Sequence, residues 1–557
     1  MCVFFPSVTW CFRHVFFGGG LRLATDTTST PPDTAAVMLL DGLLTDGSAP
    51  DRPPTKCSPA RVPPPQHLAL LSNITIHPSH TSRASEPTHR HTAARARKYL
   101  DGVLHLVGPL NANMRTAFSF QTGVSISGRR GRDRERQRAS PSDETSSLGS
   151  MDSDCVDSRF VNEQSVWRRG SDFWAVLGWA FRCAARHPHR WEHWRWWVEF
   201  MIGVLEADWD ERTKLDVEQE GFDGDAPSMR LGSLLVGYID DLRSERKNVQ
   251  KEVIRTLMAF TDDDPSDQAV YREVFDRELA LASKEPKRKR AITVVDLEKD
   301  QFGDYCGHEE EEDLVSEDED MGMYHPPSPT PRKSRPTGRK RGKHKVKEPA
   351  AAPFRGPELA DGVIETISLR LRLFRLLSAA ADSVPDRFCK VADLYEMFSD
   401  RVRALPIPVF RLFIDTTGAA LPDFIYPSFF RNLIMDLLPN NCPKPRDVDP
   451  STDADDGISP AILRHCFLPF AANRVMVEDN AKLSLVLESM LWFIYGRDAM
   501  LDAEGLGAAV EKGIRAREEK TKRRAGREAL TGTERTARLA LERSARSLRV
   551  LVKVAGV

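Results

Sequence analysis

The chain lacks any cysteine spacing suited to a metal site or a disulfide framework. Its nine cysteines are Cys2, Cys11, Cys57, Cys155, Cys183, Cys306, Cys389, Cys442 and Cys466, and no pair has Cys-x-x-Cys spacing. An odd, scattered set in a chain of 557 residues predicts free thiols and a reducing compartment. No run of 18 or more apolar residues is present, which excludes a transmembrane helix of ordinary length. The start, MCVFFPSVTWCFRHVFFGGG, is apolar. However, a secretory signal places positive charge ahead of an unbroken apolar core. Here Pro6 interrupts the stretch and the first charge, Arg13, lies inside it. No membrane partner is expected. Catalytic signatures are also missing. There is no Walker loop, no G-x-G-x-x-G after a strand, no G-x-S-x-G elbow and no kinase motif set. Gly18-Gly19-Gly20 has no following lysine. Strand signals are sparse, and no fixed repeat period emerges.

Tryptophan and segregated charge are what the chain has in excess. Seven of its ten tryptophans fall between Phe173 and Trp209, and residues of that size supply the most contact area per side chain. Trp191, Trp194, Val198, Met201 and Leu205 recur at steps of 3, 4, 3 and 4, the amphipathic helical period. Trp197, Phe200 and Val204 widen the stripe to about half the helix circumference, so this helix should be sandwiched between neighbours. His187-Pro188 separates it from a preceding helix that begins at about Phe173 and is capped by Ser171. Trp196, nearest the polar side, is expected to be the most exposed of Trp194, Trp196 and Trp197 and to offer a surface to a partner.

The fold class read from this pattern is all-α: antiparallel helix pairs, irregularly solenoid-like, in two blocks joined by a long charged linker. Residues 1–91, rich in Pro, Ser, Thr and His, are expected to be disordered. The first block spans 92–282, with a polar insertion at 124–158 containing six arginines between Arg129 and Arg138. Helices are expected at 228–242, 243–260 and 266–282. Residues 283–355 form the linker, 356–500 the second block, and 501–557 a basic helical tail. SLRLRLF alternates like a strand but is read as helical with its continuation. From Asp296 to Asp320 the linker carries thirteen acidic residues and one lysine. From Arg332 to Lys347 it carries nine Lys or Arg and no acid. Blocks of like charge do not fold alone.

Two basic clusters in the linker have the form of nuclear import signals: Lys287, Arg288, Lys289 and Arg290, and Arg339, Lys340, Arg341 and Lys343. An extended cationic strip fits an acidic groove of an import receptor. Thr330, before Pro331-Arg332-Lys333, has the form of a proline-directed kinase site, and Ser316, before Glu317-Asp318-Glu319, that of an acidophilic one. Phosphate on Thr330 would add about −2 charge beside the basic strip. His189-Arg190-Trp191-Glu192-His193 matches H-x-x-E-H, the zinc and general-base arrangement of inverted-motif metallopeptidases. That motif wants a further Glu downstream. Glu273 is the nearest and lies a few residues late, so no zinc and no cofactor are expected. Asn73-Ile74-Thr75 fits a glycosylation sequon.

The sequence therefore predicts a non-enzymatic nuclear scaffold or adaptor. Its helical surfaces would meet nuclear proteins, and its charged linker would serve import and regulation. The alternative is a chromatin-associated factor that binds DNA or RNA nonspecifically through 332–347 and 509–549. A zinc peptidase acting through HRWEH is the third reading.

Overall fold

A computed structural model describes residues 32–46, 61–120, 160, 162–220, 228–245, 248–260, 270–280, 361–421, 425–496, 503–522 and 531–555. These residues are mostly helical, with no strand among them. Numbering the longer helices in chain order gives α1 (Pro32–Asp46), α2 (Pro65–Ile76), α3 (Pro87–Leu106), α4 (Phe173–Arg186), α5 (Pro188–Glu220), α6 (Leu234–Glu245) and α7 (Val249–Leu257). After the linker come α8 (Asp361–Ser383), α9 (Val391–Ala404), α10 (Ile407–Ala420), α11 (Ile425–Met435), α12 (Val477–Tyr495), α13 (Ala503–Lys522) and α14 (Gly532–Ala555).

The Trp-rich pair is the centre of the molecule. Pro188 opens α5, where its missing N–H costs nothing. Asp172, rather than Ser171, caps α4: its Oδ1 accepts from Ala175 N at 2.8 Å, and Ser171 Oγ donates to its Oδ2. The carboxylate is the stronger acceptor for an orphan helix N–H. Trp191, Trp194, Trp197, Val198, Phe200, Met201, Val204 and Leu205 are all buried. Helix α5 is sandwiched, as its broad apolar face requires, among α2, α4, α6 and α8. SLRLRLF lies within α8.

Three expectations are corrected. The first is disorder over residues 1–91. Helix α2, a 3-10 turn at Pro78–His80 and helix α3 lie at least partly inside that span. Pro65, Pro78 and Pro87 occupy the first turns of these elements, where proline's fixed φ favours helix. A proline-rich composition therefore marks three helix starts here. Leu68, Leu71, Ile76, Tyr99 and Leu100 join the central core.

The second correction concerns the two separate blocks. The described residues before and after the linker belong to one compact unit, and one continuous core takes in Trp194, Phe374, Phe429 and Leu487. Helix α8 packs on both α4 and α5. A Cβ added at Gly362 would stand 2.5 Å from the Ala184 carbonyl, so glycine permits the close approach of α8 to the end of α4. Helices α13 and α14, within the segment read as a basic helical tail, also join this core. Leu506, Val510, Ile514, Leu548 and Leu551 are buried in the same core.

Third, the helix expected over 266–282 is replaced, at 271–280, by turns and bends. They wrap Glu278 against the Trp-rich pair.

Candidate functional site

The HRWEH segment forms the first turn and a half of α5. Arg190, which the motif leaves unspecified, is the residue that the fold uses most. Both Arg190 and Glu278 have side chains that are 0% exposed, and they pair at 2.8 Å. Arg190 Nε donates to Glu278 Oε1 at 2.9 Å. One terminal nitrogen donates to Thr81 Oγ1 and Ser82 Oγ, the other to the Ile76 carbonyl at 2.7 Å. Glu278 in turn accepts from Trp194 Nε1 at 2.6 Å, from Trp179 Nε1 at 3.1 Å and from the backbone N–H groups of Val274 and Phe275. A buried ion pair persists only when its remaining donors and acceptors are met. Here the cluster ties α4, α5, the 76–82 turn and the 271–280 segment together.

The two histidines of the motif and Glu273 each have other partners. His193 Nδ1 is 3.3 Å from a terminal nitrogen of Arg97. His189 has a backbone hydrogen bond with Leu279, and burial lowers its pKa. Glu273 Oε2 accepts from the backbone of Glu278 at 3.1 Å. Among the described residues, no three His, Cys, Asp or Glu side chains converge as a metal site. None of the described helices is long and apolar enough to cross a membrane. Asn73 is fully buried; its amide donates to the carbonyls of Phe160 and Gln164 and accepts from Val166 N. In the folded chain this sequon has no room for a glycan.

Two imidazoles at the start of α5, His193 and the flanking His187, carry a pH dependence. Burial first, then the Arg190 and Arg97 cations, holds His193 down to about 3. Burial, then His189 and Arg186, holds His187 down to about 4. In an unfolded chain both titrate near 6.5. Between about pH 6.5 and 4 for His187, and between about pH 6.5 and 3 for His193, the unfolded chain therefore takes up protons that the folded one refuses. Their contribution is complete above pH 6.5 and declines as pH falls through those windows. The urea midpoint is expected to drop between pH 7.5 and 5, and His193→Gln should shrink the drop. An equal drop in the variant would remove His193 from this account.

Trp196 is the most exposed of its trio, as expected: Trp194 and Trp197 are buried completely and Trp196 partly. Its indole is already engaged, however. Nε1 donates to Asp101 Oδ2 at 3.2 Å, Phe200 stacks at 5.0 Å and the Arg97 guanidinium lies 5.6 Å from the ring.

Among the described residues the exposed tryptophan is a different one. Trp492, near the end of α12, is 59% exposed. It lines a groove of about 460 Å³ with Tyr495, Arg543, Arg546, Ser547, Val550, Leu551 and Val554. Helix α14 lies along α12. It turns Ala545, Leu548 and Leu551 inward and leaves Val550 and Val554 57% and 56% exposed. Helix α14 is anchored behind by Arg549, which forks onto Glu511 of α13 at 2.7 and 3.2 Å. Neither Arg543 nor Arg546 has a carboxylate partner among the described residues. Glu488 sits beside Ser544 and Ser547, and burial raises its pKa. Sequence reading missed this site because α12 is apolar nearly all round. The available signal was spacing: Glu488, Trp492 and Tyr495 share one face, and a glutamate seldom faces a core.

The import clusters Lys287, Arg288, Lys289, Arg290, Arg339, Lys340, Arg341 and Lys343, the sites Ser316 and Thr330, and the 124–158 insertion lie outside the described residues. No family model, no curated protein and no solved structure matches the chain.

Proposed function

We propose that the chain is a non-enzymatic scaffold or adaptor that works in the nucleus and receives protein partners on its helical surface. The observation that carries this reading is the α12–α14 groove. A tryptophan left 59% exposed beside a tyrosine, aliphatics and two arginines has the composition of a binding hot spot. Monomeric surfaces seldom leave such patches without a use. The linker's basic clusters would supply import, and Ser316 and Thr330 its regulation by phosphorylation. The helix array would hold the groove rigidly in place.

The test compares partners captured from nuclear extract by the full chain and by its Trp492→Ala variant. Because the side chain is largely in solvent, the variant is expected to keep its melting temperature and lose a defined subset of partners. An unchanged partner set would remove the groove from this reading. For import, neutralising both basic clusters in a fluorescent fusion should leave it cytoplasmic; persistent nuclear accumulation would sink that part.

Arginines exposed on α14 favour the second reading, electrostatic binding of nucleic acid. Its signature is affinity that falls steeply with salt.

A further inference from the structure

Helix α14 carries a second pattern on its outer side. Leu539, Arg543, Arg546, Val550 and Val554 recur at steps of 4, 3, 4 and 4, so they form one stripe. All five are exposed, and Leu539 is 50% so. The stripe is apolar at both ends and cationic in the middle. It runs about 22 Å along the helix, roughly four turns, and Trp492 and Tyr495 wall its C-terminal half. On the exposed surface of α14, Arg535, Arg543, Arg546 and Lys553 face a single exposed carboxylate, Glu542.

We infer that the groove takes an acidic amphipathic helix from a partner protein, with apolar side chains against Trp492, Val550 and Val554 and carboxylates on Arg543 and Arg546. This inference rests on the docking reading above and names the partner's chemistry. Helix-in-groove recognition uses apolar anchors at helical spacing, which the stripe's own spacing matches. A guanidinium without a carboxylate partner among the described residues is the natural fork for one from another chain. Glu488 at the Ser544–Ser547 side repels acid there, so the partner's carboxylates belong at Arg543 and Arg546. A second copy of the chain fits poorly, because stacking two such stripes would set arginine against arginine. Single-stranded nucleic acid asks for a continuous cationic track with stacking platforms. Trp492 and Tyr495 offer stacking faces, but Leu539, Val550 and Val554 interrupt the cationic track on either side of the two arginines.

The experiment selects a displayed library of helical peptides on the full chain. Selected peptides, labelled with fluorescein, and a single-stranded oligothymidylate are then titrated onto wild type, Trp492→Ala and Arg543→Glu/Arg546→Glu. These positions are exposed, and circular dichroism checks that both variants fold. The expected winners carry apolar residues at helical spacing with Asp or Glu between them. Their affinity should drop at least about tenfold in each variant, as loss of a hot-spot residue does. Replacing the peptide's acids with lysine should restore binding to the charge-reversed variant. Selected peptides that depend on Trp492 but lack carboxylates would overturn the inference and leave the docking reading standing. Failure to select any peptide that depends on Trp492 would overturn both. Tighter binding of the oligothymidylate, lost in the same variants, would replace the partner helix with nucleic acid.

Discussion

Glu278→Ala is expected to destabilise the chain by about 3–5 kcal/mol, the usual cost of breaking a buried ion pair from one side. The single carboxylate serves the Arg190 guanidinium, the indole N–H groups of Trp179 and Trp194, and two backbone N–H groups. Removing it strands a buried cation and four neutral donors, and each buried unmet donor costs about 1–3 kcal/mol unless water reaches it. Against a total of about 5–15 kcal/mol for an ordinary domain, the variant should lose much of its soluble yield and its urea midpoint should fall. Glu278→Gln keeps the volume and one acceptor oxygen and should fall between the two. Arg190→Met combined with Glu278→Leu removes both charges. It should be less damaging than the two single changes added together, since the remaining groups no longer include an unpaired ion. Additive losses in that double variant, or a loss below about 1 kcal/mol for Glu278→Ala, would show that the pair is incidental.

What the sequence made legible follows from which physical signals are local. The 3-4-3-4 spacing of Trp191, Trp194, Val198, Met201 and Leu205 is a property of one helix, and every one of those residues is buried. Pro188 at a helix start is equally local. Buried arginine is not. Arg190, Arg370 and Arg517 rank among the largest fully buried side chains, although arginine is ordinarily a surface residue. Its burial depends on acceptors far along the chain: Glu278 for Arg190, the Leu257 and Ala259 carbonyls for Arg370, and the Leu468 and Phe470 carbonyls for Arg517. No window of sequence contains both ends of such a contact. The proline-rich start failed for a related reason. Composition places Pro65, Pro78 and Pro87 in a span expected to be disordered, while position makes them helix openers. Trp492 was hidden because exposure on an apolar helix is decided by where neighbouring helices stop.

Arg370 is the fully buried polar tie between the segments before and after the linker, and its removal should loosen their coupling. The residue lies on α8, yet its terminal nitrogens donate to the carbonyls of Leu257 and Ala259, at 3.0 Å for the latter, just where α7 ends. The negative end of a helix dipole suits a cation, and this one has a second source of stabilisation. The rings of Phe181 and Phe260 lie 4.0 and 3.9 Å from its guanidinium carbon, and a desolvated cation–π contact is worth about 2 kcal/mol. Nε donates to Thr366 Oγ1 at 3.1 Å. No carboxylate pairs with Arg370 among the described residues, and burial drives its pKa well below the usual arginine value. Arg370→Met keeps much of the volume but strands two carbonyls at roughly 1–3 kcal/mol each and removes both ring contacts. Arg370→Lys keeps a charge but has no planar fork to fill the slot between the rings, so it should recover only part of the loss. The readout follows from where the fluorophores sit: apart from Trp492, every described tryptophan lies within 162–220. Tryptophan fluorescence therefore follows the earlier segment, while far-ultraviolet circular dichroism follows all the helices. In wild type the two urea transitions should coincide, as one shared core requires. In Arg370→Met the midpoint should fall and the two transitions should separate. Coincident transitions at the wild-type midpoint would mean that the shared apolar core alone couples the two segments, with Arg370 a passenger.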